Sequence, residues 1–158
     1  MLEYEESDIL PLDPSPLVLV VEDELTPRSI VTRMVRSLGF QARGYHSGAA
    51  ALGFLHEHPG AARLVLADLG MPRMDGGELA ERVQDLEPRL RVALMAGRDD
   101  PHVGDLLEGY SDLPFLAKPV AFAALAELLA VLVGAPASTT AVDRSSASRR
   151  TSGRHRIS

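Results

Sequence analysis

The sequence predicts an α/β protein built on an open sheet of five parallel strands with helices on both faces. Short unbroken apolar runs, which are typical of strands buried on both sides, alternate with longer segments of helical periodicity. Five strand–helix pairs follow one another along the chain, although not every strand is an unbroken apolar run, and this alternation is typical of parallel sheets. The 158 residues, of which 46% are hydrophobic and 24% charged, have the composition of one globular domain.

The first strand is predicted at Leu17–Val21, where five apolar residues precede Glu22 and Asp23. A helix follows, because Pro27 suits a first helical turn and apolar residues recur at helical spacing until Gly39. In this first strand–helix pair, two acids follow the strand and a glycine ends the helix.

The other elements follow the same alternation. Ser47 is predicted to cap the second helix, and a loop with Gly70, Pro72 and Gly76 precedes the third. The remaining strands are predicted at 40–45, 64–67, 92–95 and 115–117, and the remaining helices at 47–55, 78–86, 101–109 and 121–133.

Both ends of the chain differ from this body in composition. Residues 1–16 are Pro-rich and carry five acids and no base, whereas residues 135–158 are Ser-rich and carry five arginines against Asp143 alone. Neither end has apolar periodicity, so both are predicted to be disordered extensions. The folded unit is then predicted at residues 17–134.

Charged residues stand at the carboxyl ends of three predicted strands: Glu22 and Asp23 after the first, Asp68 after the third and Lys118 after the fifth. In open parallel sheets, functional groups gather in the crevice beyond these ends. Carboxylates in one crevice repel one another, and a hard dication such as Mg²⁺ relieves the repulsion. An aspartate held between Mg²⁺ and a lysine is arranged to attack a phosphoryl group.

Lys118 is the only lysine in a chain with fifteen arginines. A position that keeps lysine in such a composition indicates a need for a compact point charge. The alternative is a surface lysine kept by chance, and for the acids the alternative is that they only cap loops or helix starts.

At this point the chain resembles the receiver domain of two-component response regulators. The matching segments are the acidic pair after Leu17–Val21, the run DLGMPRMDG from Asp68 to Gly76, and FLAKP at Phe115–Pro119. The resemblance implies the flavodoxin-like (βα)5 fold. A stand-alone receiver is expected because no output domain follows in the sequence. The resemblance also implies Asp68 as phosphoacceptor, Asp23 as direct Mg²⁺ ligand and Glu22 as a further acid of the metal site.

The resemblance further implies that the Gly70 backbone carbonyl binds the metal and that Lys118 contacts the phosphoryl group. The donor would be a phosphohistidine on a histidine kinase or phosphotransfer protein. Such a protein is not an enzyme beyond phosphorylating and dephosphorylating itself. An aspartate-nucleophile phosphatase would instead have a second acid two residues after Asp68, where Gly70 stands.

The sequence departs from the family at Ala96, where receivers carry Ser or Thr at the end of the fourth strand. One charge-assisted hydrogen bond to the phosphoryl group, worth roughly 1.5–3 kcal/mol, is thereby missing. Arg98 could compensate with a bidentate contact, although a solvated loop residue beside Asp99 and Asp100 is the favoured interpretation. The switch aromatic of the family falls on Phe115, for which a switching role and a plain core role both stay open.

Two functions follow. The first is a phosphorylation-dependent receiver that signals by protein contact; the alternative is a receiver-like scaffold that binds a partner without switching, as Ala96 would favour. The last helix carries only one charge, Glu127, between Val120 and Val133, so we expect the last strand and helix to bind a downstream target or a second copy.

The composition also limits which other partners and which cellular compartment we expect for the protein. The arginine-rich tail has no aromatic residue and no DNA-binding motif, so we expect no nucleic-acid partner. The chain contains no apolar run of about 20 residues and its N-terminus is acidic, unlike a secretory signal. A cytoplasmic protein that does not contact membranes is predicted, and the lack of cysteine excludes thiol chemistry.

Overall fold

A computed structural model describes residues 15–97 and 101–135 of the chain. Residues 1–14 and 136–158, which make up most of the two predicted extensions, lie outside the described residues, as does Arg98. The described elements are β1 (Leu17–Val21), α1 (Leu25–Ser37), β2 (Gln41–Tyr45), α2 (Gly48–Glu57), β3 (Ala62–Asp68), α3 (Gly76–Leu86), β4 (Arg91–Gly97), α4 (Pro101–Gly109), β5 (Phe115–Lys118) and α5 (Phe122–Leu132).

All five strands pair in parallel in the order β2-β1-β3-β4-β5. The chain first moves outward from β1 to β2 and then crosses back to β3 on the other side of β1. The strand order therefore reverses between β1 and β3, and ligands of such sheets bind at this point. The predicted fold class is confirmed.

The three central strands, β1, β3 and β4, are largely buried on both faces because their apolar side chains alternate between two cores. Leu19 and Val21 of β1 join one core, which also holds apolar residues of α2, α3 and α4. Val18 and Val20 join the other core, which also holds apolar residues of α1 and α5. Helices therefore cover both faces of the sheet, and the unbroken apolar runs of β1 and β3 follow from this.

The third helix begins earlier than the sequence predicts. It starts at Gly76 and not at Glu78, because the Asp75 side chain caps it by accepting a hydrogen bond from the Glu78 amide at 2.8 Å. Ser47 caps α2 as predicted, through a bond from the Ala50 amide at 3.1 Å. Across the described residues, every helix is too short or too polar to cross a bilayer.

Candidate functional site

The register of the sheet brings the strand-end acids together. Val21 pairs with Ala67, so Glu22 and Asp23 leave β1 beside Asp68 at the end of β3. One oxygen from each of these three carboxylates lies within 4.8 Å of the other two. The edge of the sheet therefore carries the acidic cluster that the sequence predicts.

Lys118, at the end of β5, reaches across β4 to this cluster. Its Nζ donates to Glu22 Oε1 at 2.7 Å and lies 3.3 Å from Asp68 Oδ1. One ammonium thus contacts two of the three carboxylates. Glu22, Asp23, Asp68 and Lys118 form the acidic pocket, the name used below for this group.

The pocket is buried at its base and open at its rim. Glu22 is only 1% exposed and Asp68 7%, whereas Asp23 is exposed and Lys118 is half-buried. A buried carboxylate needs a charged or hydrogen-bonding partner. Glu22 has two: Lys118 contacts its Oε1, and the Glu24 amide donates to its Oε2 at 3.3 Å.

Burial and charge in the pocket shift two pKa values. Burial alone lowers the pKa of Lys118, but its hydrogen bond to Glu22 and the charge of Asp68 outweigh burial and raise that pKa overall. Partial burial raises the pKa of Asp23, and the neighbouring Glu22 raises it further. The ammonium is therefore held in its charged form, and the pKa of Asp23 stays raised although the charge of Lys118 lowers it in part.

The loop after Asp68 is fixed by close backbone contacts. The Leu69 amide donates to the Met95 carbonyl at 2.8 Å, and the Gly70 amide donates to Asp68 Oδ1 at 3.3 Å. A side chain on Gly76 would place its Cβ only 2.8 Å from the Asp68 carbonyl oxygen. The glycine at position 76 therefore lets α3 start directly against the end of β3. The metal contact expected of the Gly70 carbonyl stays a prediction.

Sequence reasoning missed Arg28 of α1. Its Nη1 donates to the Glu22 carbonyl at 2.8 Å and approaches the Asp23 carbonyl at 3.4 Å. Its side chain packs close to Gly44 of β2. A Cβ added at Gly44 would lie 3.1 Å from Arg28 Cγ. Arg28 thus holds the backbone that carries both β1 acids. A glycine inside a predicted strand was the available signal, since it often marks such a close approach.

The remaining predicted site positions are Ala96, Phe115 and Arg98. Ala96 is 1% exposed in β4 and pairs with Ala117, one residue before Lys118. Phe115 is 39% exposed at the start of β5, so it is not a fully buried core residue. Its role as a switch remains a prediction, and the compensating role of Arg98 lies outside the described residues.

Comparisons with known proteins concern the family and the fold of the chain. A family model described as the response regulator receiver domain matches residues 18–130. The response regulator receiver protein CpdR of Brucella abortus (strain 2308) is 29% identical over 102 residues, which are 65% of this chain and 83% of CpdR.

Two solved structures illustrate the shared fold. The chemotaxis protein CheY4 of Vibrio cholerae superposes with a TM-score of 0.65 at 19% identity, over 75% of this chain and 99% of that one. A co-crystal of the Saccharomyces cerevisiae histidine phosphotransfer protein Ypd1 with the receiver domain of its downstream response regulator Ssk1 matches with a TM-score of 0.63 at 20% identity. That match covers 76% of this chain and 90% of the matched chain. At these identities the similarity concerns the fold.

Proposed function

Since this chain belongs to the response regulator receiver domain family and is a receiver domain of two-component signalling, we propose that it takes a phosphoryl group onto Asp68. The observation that carries the proposal is the contact of Lys118 Nζ with Asp68 Oδ1 at 3.3 Å beside two further carboxylates. A carboxylate in contact with a fixed ammonium at a strand end can act as a nucleophile toward phosphorus.

The donor set of the pocket suits Mg²⁺. Receiver domains generally bind this ion at an acidic pocket, and three carboxylate oxygens within 4.8 Å of one another are hard ligands for it. Lys118 offsets one of the three negative charges, so a dication would neutralise the rest. We propose Asp23, Asp68 and the Gly70 carbonyl as ligands, with Glu22 as a supporting acid. When bound, the ion supplies charge neutralisation for the phosphoryl oxygens.

The proposed step forms one bond and breaks one. An Asp68 carboxylate oxygen forms a bond to phosphorus as the P–N bond of the donor phosphohistidine breaks, and the released imidazole takes a proton from solvent. Lys118 Nζ lies 3.3 Å from Asp68 Oδ1, from where it can donate to a phosphoryl oxygen. Its raised pKa keeps it charged for this task.

The proposed donor is a histidine kinase or a histidine phosphotransfer protein. The Ypd1–Ssk1 complex pairs a receiver domain with a protein of the second class. On this chain, Leu25 and Ile30 are large exposed apolar side chains of α1, the helix that follows Asp23. Apolar side chains beside the pocket suit docking of a donor protein.

For the output we propose the surface formed by β5 and α5. A groove of about 380 Å³ lies there, lined by apolar residues that include Phe115, Leu128 and Val131, with Glu127 at its side. Exposed apolar area of this kind is typical of a protein-binding surface. The occupant would be a downstream target or a second copy of the chain.

Ala96 supports the second candidate function, a scaffold that binds its partner without a phosphorylation switch. Position 96 is buried in β4 and offers no hydroxyl to a phosphoryl group. Under this alternative Asp68 could still be phosphorylated, but partner binding would not respond. Comparing partner affinity of the phosphorylated and unphosphorylated protein distinguishes the two.

The acceptor is tested by labelling with a small phosphodonor in the presence and absence of Mg²⁺. We expect Mg²⁺-dependent incorporation in the parent protein and its loss in Asp68→Asn, because the amide cannot act as the nucleophile. Asp85→Asn, at an exposed acid of α3, is the control and should label like the parent. Labelling that persists in Asp68→Asn would refute the assignment.

A further inference from the structure

A basic groove lies between α1 and the edge strand β2. It has a volume of about 270 Å³ and is lined by Arg28, Ser29, Thr32, Arg33, Arg36 and Gly44. We call it the arginine groove. Arg33 and Arg36 are exposed and Arg28 is half-buried, so the groove presents three guanidinium groups on one side of a single helix.

Salt bridges to the arginine groove are absent from the part of the chain that the structure describes: within residues 15–97 and 101–135, no carboxylate pairs with Arg28, Arg33 or Arg36. Arg28 and Arg36 donate to backbone carbonyls instead, those of Glu22 and Ala42, each at 2.8 Å. Three like charges within about 12 Å of helix repel one another, so the groove favours an anionic occupant.

We propose that the arginine groove binds the acidic N-terminal segment of the same chain, residues 1–14. This segment carries five carboxylates and no basic side chain. The carboxylates are those of Glu3, Glu5, Glu6, Asp8 and Asp13. Arginine pairs well with carboxylates because its planar group can donate two hydrogen bonds to one carboxylate.

The chain enters the described fold beside one end of the groove. Gln41, the first residue of β2, donates from its Nε2 to the Ser15 carbonyl at 2.7 Å and from its amide to the Pro16 carbonyl at 3.0 Å. The next residue, Ala42, accepts the bond from Arg36. Ser15 and Arg36 therefore bind neighbouring residues of β2, so the chain enters the fold next to the Arg36 end of the groove.

The segment is long enough to follow the groove. Asp13 is two residues from Ser15 and can reach about 7 Å, while Asp8 is seven residues away and can reach about 24 Å. Arg36 and Arg28 are eight residues apart on α1, which is about 12 Å along the helix axis. Successive acids can thus meet Arg36, Arg33 and Arg28 in turn, with the segment running antiparallel to the strand that follows it.

At its far end the groove adjoins the acidic pocket. Arg28 holds the carbonyls of Glu22 and Asp23, so a segment bound along the groove would end beside the loop that carries these acids. It would cover the side of α1 next to that loop. The binding itself requires no phosphorylation, so its test stands apart from that of the proposed function.

Paramagnetic broadening in NMR tests the contact directly. The chain has no cysteine, so Ile9→Cys accepts a single nitroxide label within the acidic segment. We expect loss of the amide signals of Ser29, Arg33 and Gly44 at low salt. The signals should recover near about 1 M salt, where charges are screened beyond about 3 Å.

Two variants assign the effect to charge. Replacing the five acids with Gln or Asn should abolish the broadening without changing any described residue. The double variant Arg33→Gln/Arg36→Gln, which removes positive charge from the groove, should abolish it as well. A label at Ala141→Cys, in the arginine-rich tail, is the matched control and should leave the groove signals unchanged.

Three outcomes would overturn the proposal. Broadening that survives neutralisation of the acids would show that charge does not direct the segment. Broadening spread evenly over the surface would show that no groove is selected. Broadening in a mixture of isotope-labelled protein and separate spin-labelled protein would assign the groove to a second copy of the chain.

Discussion

Lys118 and Glu22 are 96 positions apart in the chain, yet they form the shortest charged contact of the acidic pocket, at 2.7 Å. Glu22 is almost fully buried, whereas the Lys118 side chain keeps some contact with water. Removing one partner of a buried pair leaves the other charge without compensation, which costs more than the pair contributes. The buried charge of Glu22 therefore depends on Lys118 for its compensation.

We expect Lys118→Met to lower the free energy of unfolding by about 3 kcal/mol without Mg²⁺, because Glu22 is left buried without a compensating positive charge. The pKa of Lys118 is raised in the folded state, so its contribution is fully present below pH 10.5. That contribution is lost only as the pH rises above this value through the folded-state pKa. Urea unfolding at neutral pH measures the loss.

The double variant Glu22→Gln/Lys118→Met should cost less than Lys118→Met alone, since no charge is left uncompensated. Arg82→Met provides the exposed counterpart: its pair with Glu78 at 3.1 Å lies on the surface of α3, and its loss should cost no more than about 0.5 kcal/mol. Strictly additive losses at positions 22 and 118 would contradict the coupling.

Ala96 gives a second prediction at the scale of one residue. Ala96→Ser would add a donor to the proposed phosphoryl site, and a hydrogen bond to a charged group contributes roughly 1.5 kcal/mol or more. We expect beryllofluoride, a phosphoryl mimic, to bind about tenfold more tightly in the presence of Mg²⁺. Isothermal titration measures the affinity, which Asp68→Asn should abolish.

Ala93→Ser is the matched control for a buried hydroxyl. Ala93 is fully buried in the same strand but belongs to the core on the opposite face of the sheet from Ala96. Both serines should cost stability, by about 1–3 kcal/mol if the hydroxyl finds no partner. Only Ala96→Ser should tighten binding, and equal affinities in both variants would contradict the role assigned to position 96.

At the scale of elements, the end of α4 packs on the start of α3. Tyr110 follows α4, and its ring lies so close to Gly77 that a Cβ there would overlap it. Burial raises the pKa of Tyr110, and nearby Glu81 and Asp75 raise it further. Gly77 is next to Gly76, which contacts the Asp68 backbone, so this contact joins α4 to the loop of the acidic pocket.

Gly77→Ala should therefore destabilise the protein by about 1–3 kcal/mol, because the new methyl group overlaps the Tyr110 ring. In a Tyr110→Ala background the overlap is absent, and the same change should stabilise by about 0.5–1 kcal/mol through helix propensity. Thermal or urea unfolding of the four proteins measures both effects.

Gly53→Ala is the control within a helix. Gly53 lies in α2, and an added Cβ would meet no atom within 4 Å apart from the nearby backbone of its own helix. The alanine should stabilise by about 0.5–1 kcal/mol. If Gly77→Ala and Gly53→Ala had the same sign in the parent, close packing of Tyr110 on α3 would not be the deciding factor.

At the scale of the whole molecule, the groove between β5 and α5 is the surface that we propose binds another protein. Leu125 and Leu129 of α5 are fully buried in the core, but Phe122 and Val131 are exposed, Val131 by 75%. The apolar side chains of α5 thus lie partly in the core and partly on the surface. The surface part borders the groove that Phe115 lines.

We expect the protein to self-associate through this groove and Val131→Glu to yield monomers, because a buried charge without a partner opposes association. Sedimentation velocity at high micromolar concentration measures the change. Ile30→Glu, at an exposed position of α1, is the control and should leave association unchanged. A parent protein that stays monomeric at that concentration would contradict the expectation.

Most of the fold could be predicted because buried parallel strands leave a direct trace in the sequence. The runs at Leu17–Val21 and Leu64–Ala67 are apolar on both faces, and this pattern is distinct from helical periodicity. The start of α3 was missed although Asp75, three residues before Glu78, is a local N-cap signal. The close packing of Gly76 on the Asp68 backbone depends on the tertiary fold, which local composition does not reveal.

The sequence by itself determined the parallel sheet and the membership of the acidic pocket, since helical crossovers bring the carboxyl ends of parallel strands to one edge. The tertiary structure decided which charges pair. Lys118 contacts Glu22 and Asp68, and Arg28 crosses Gly44 to hold the backbone of the β1 acids. These contacts depend on sheet register and helix packing, which act between residues far apart in the chain.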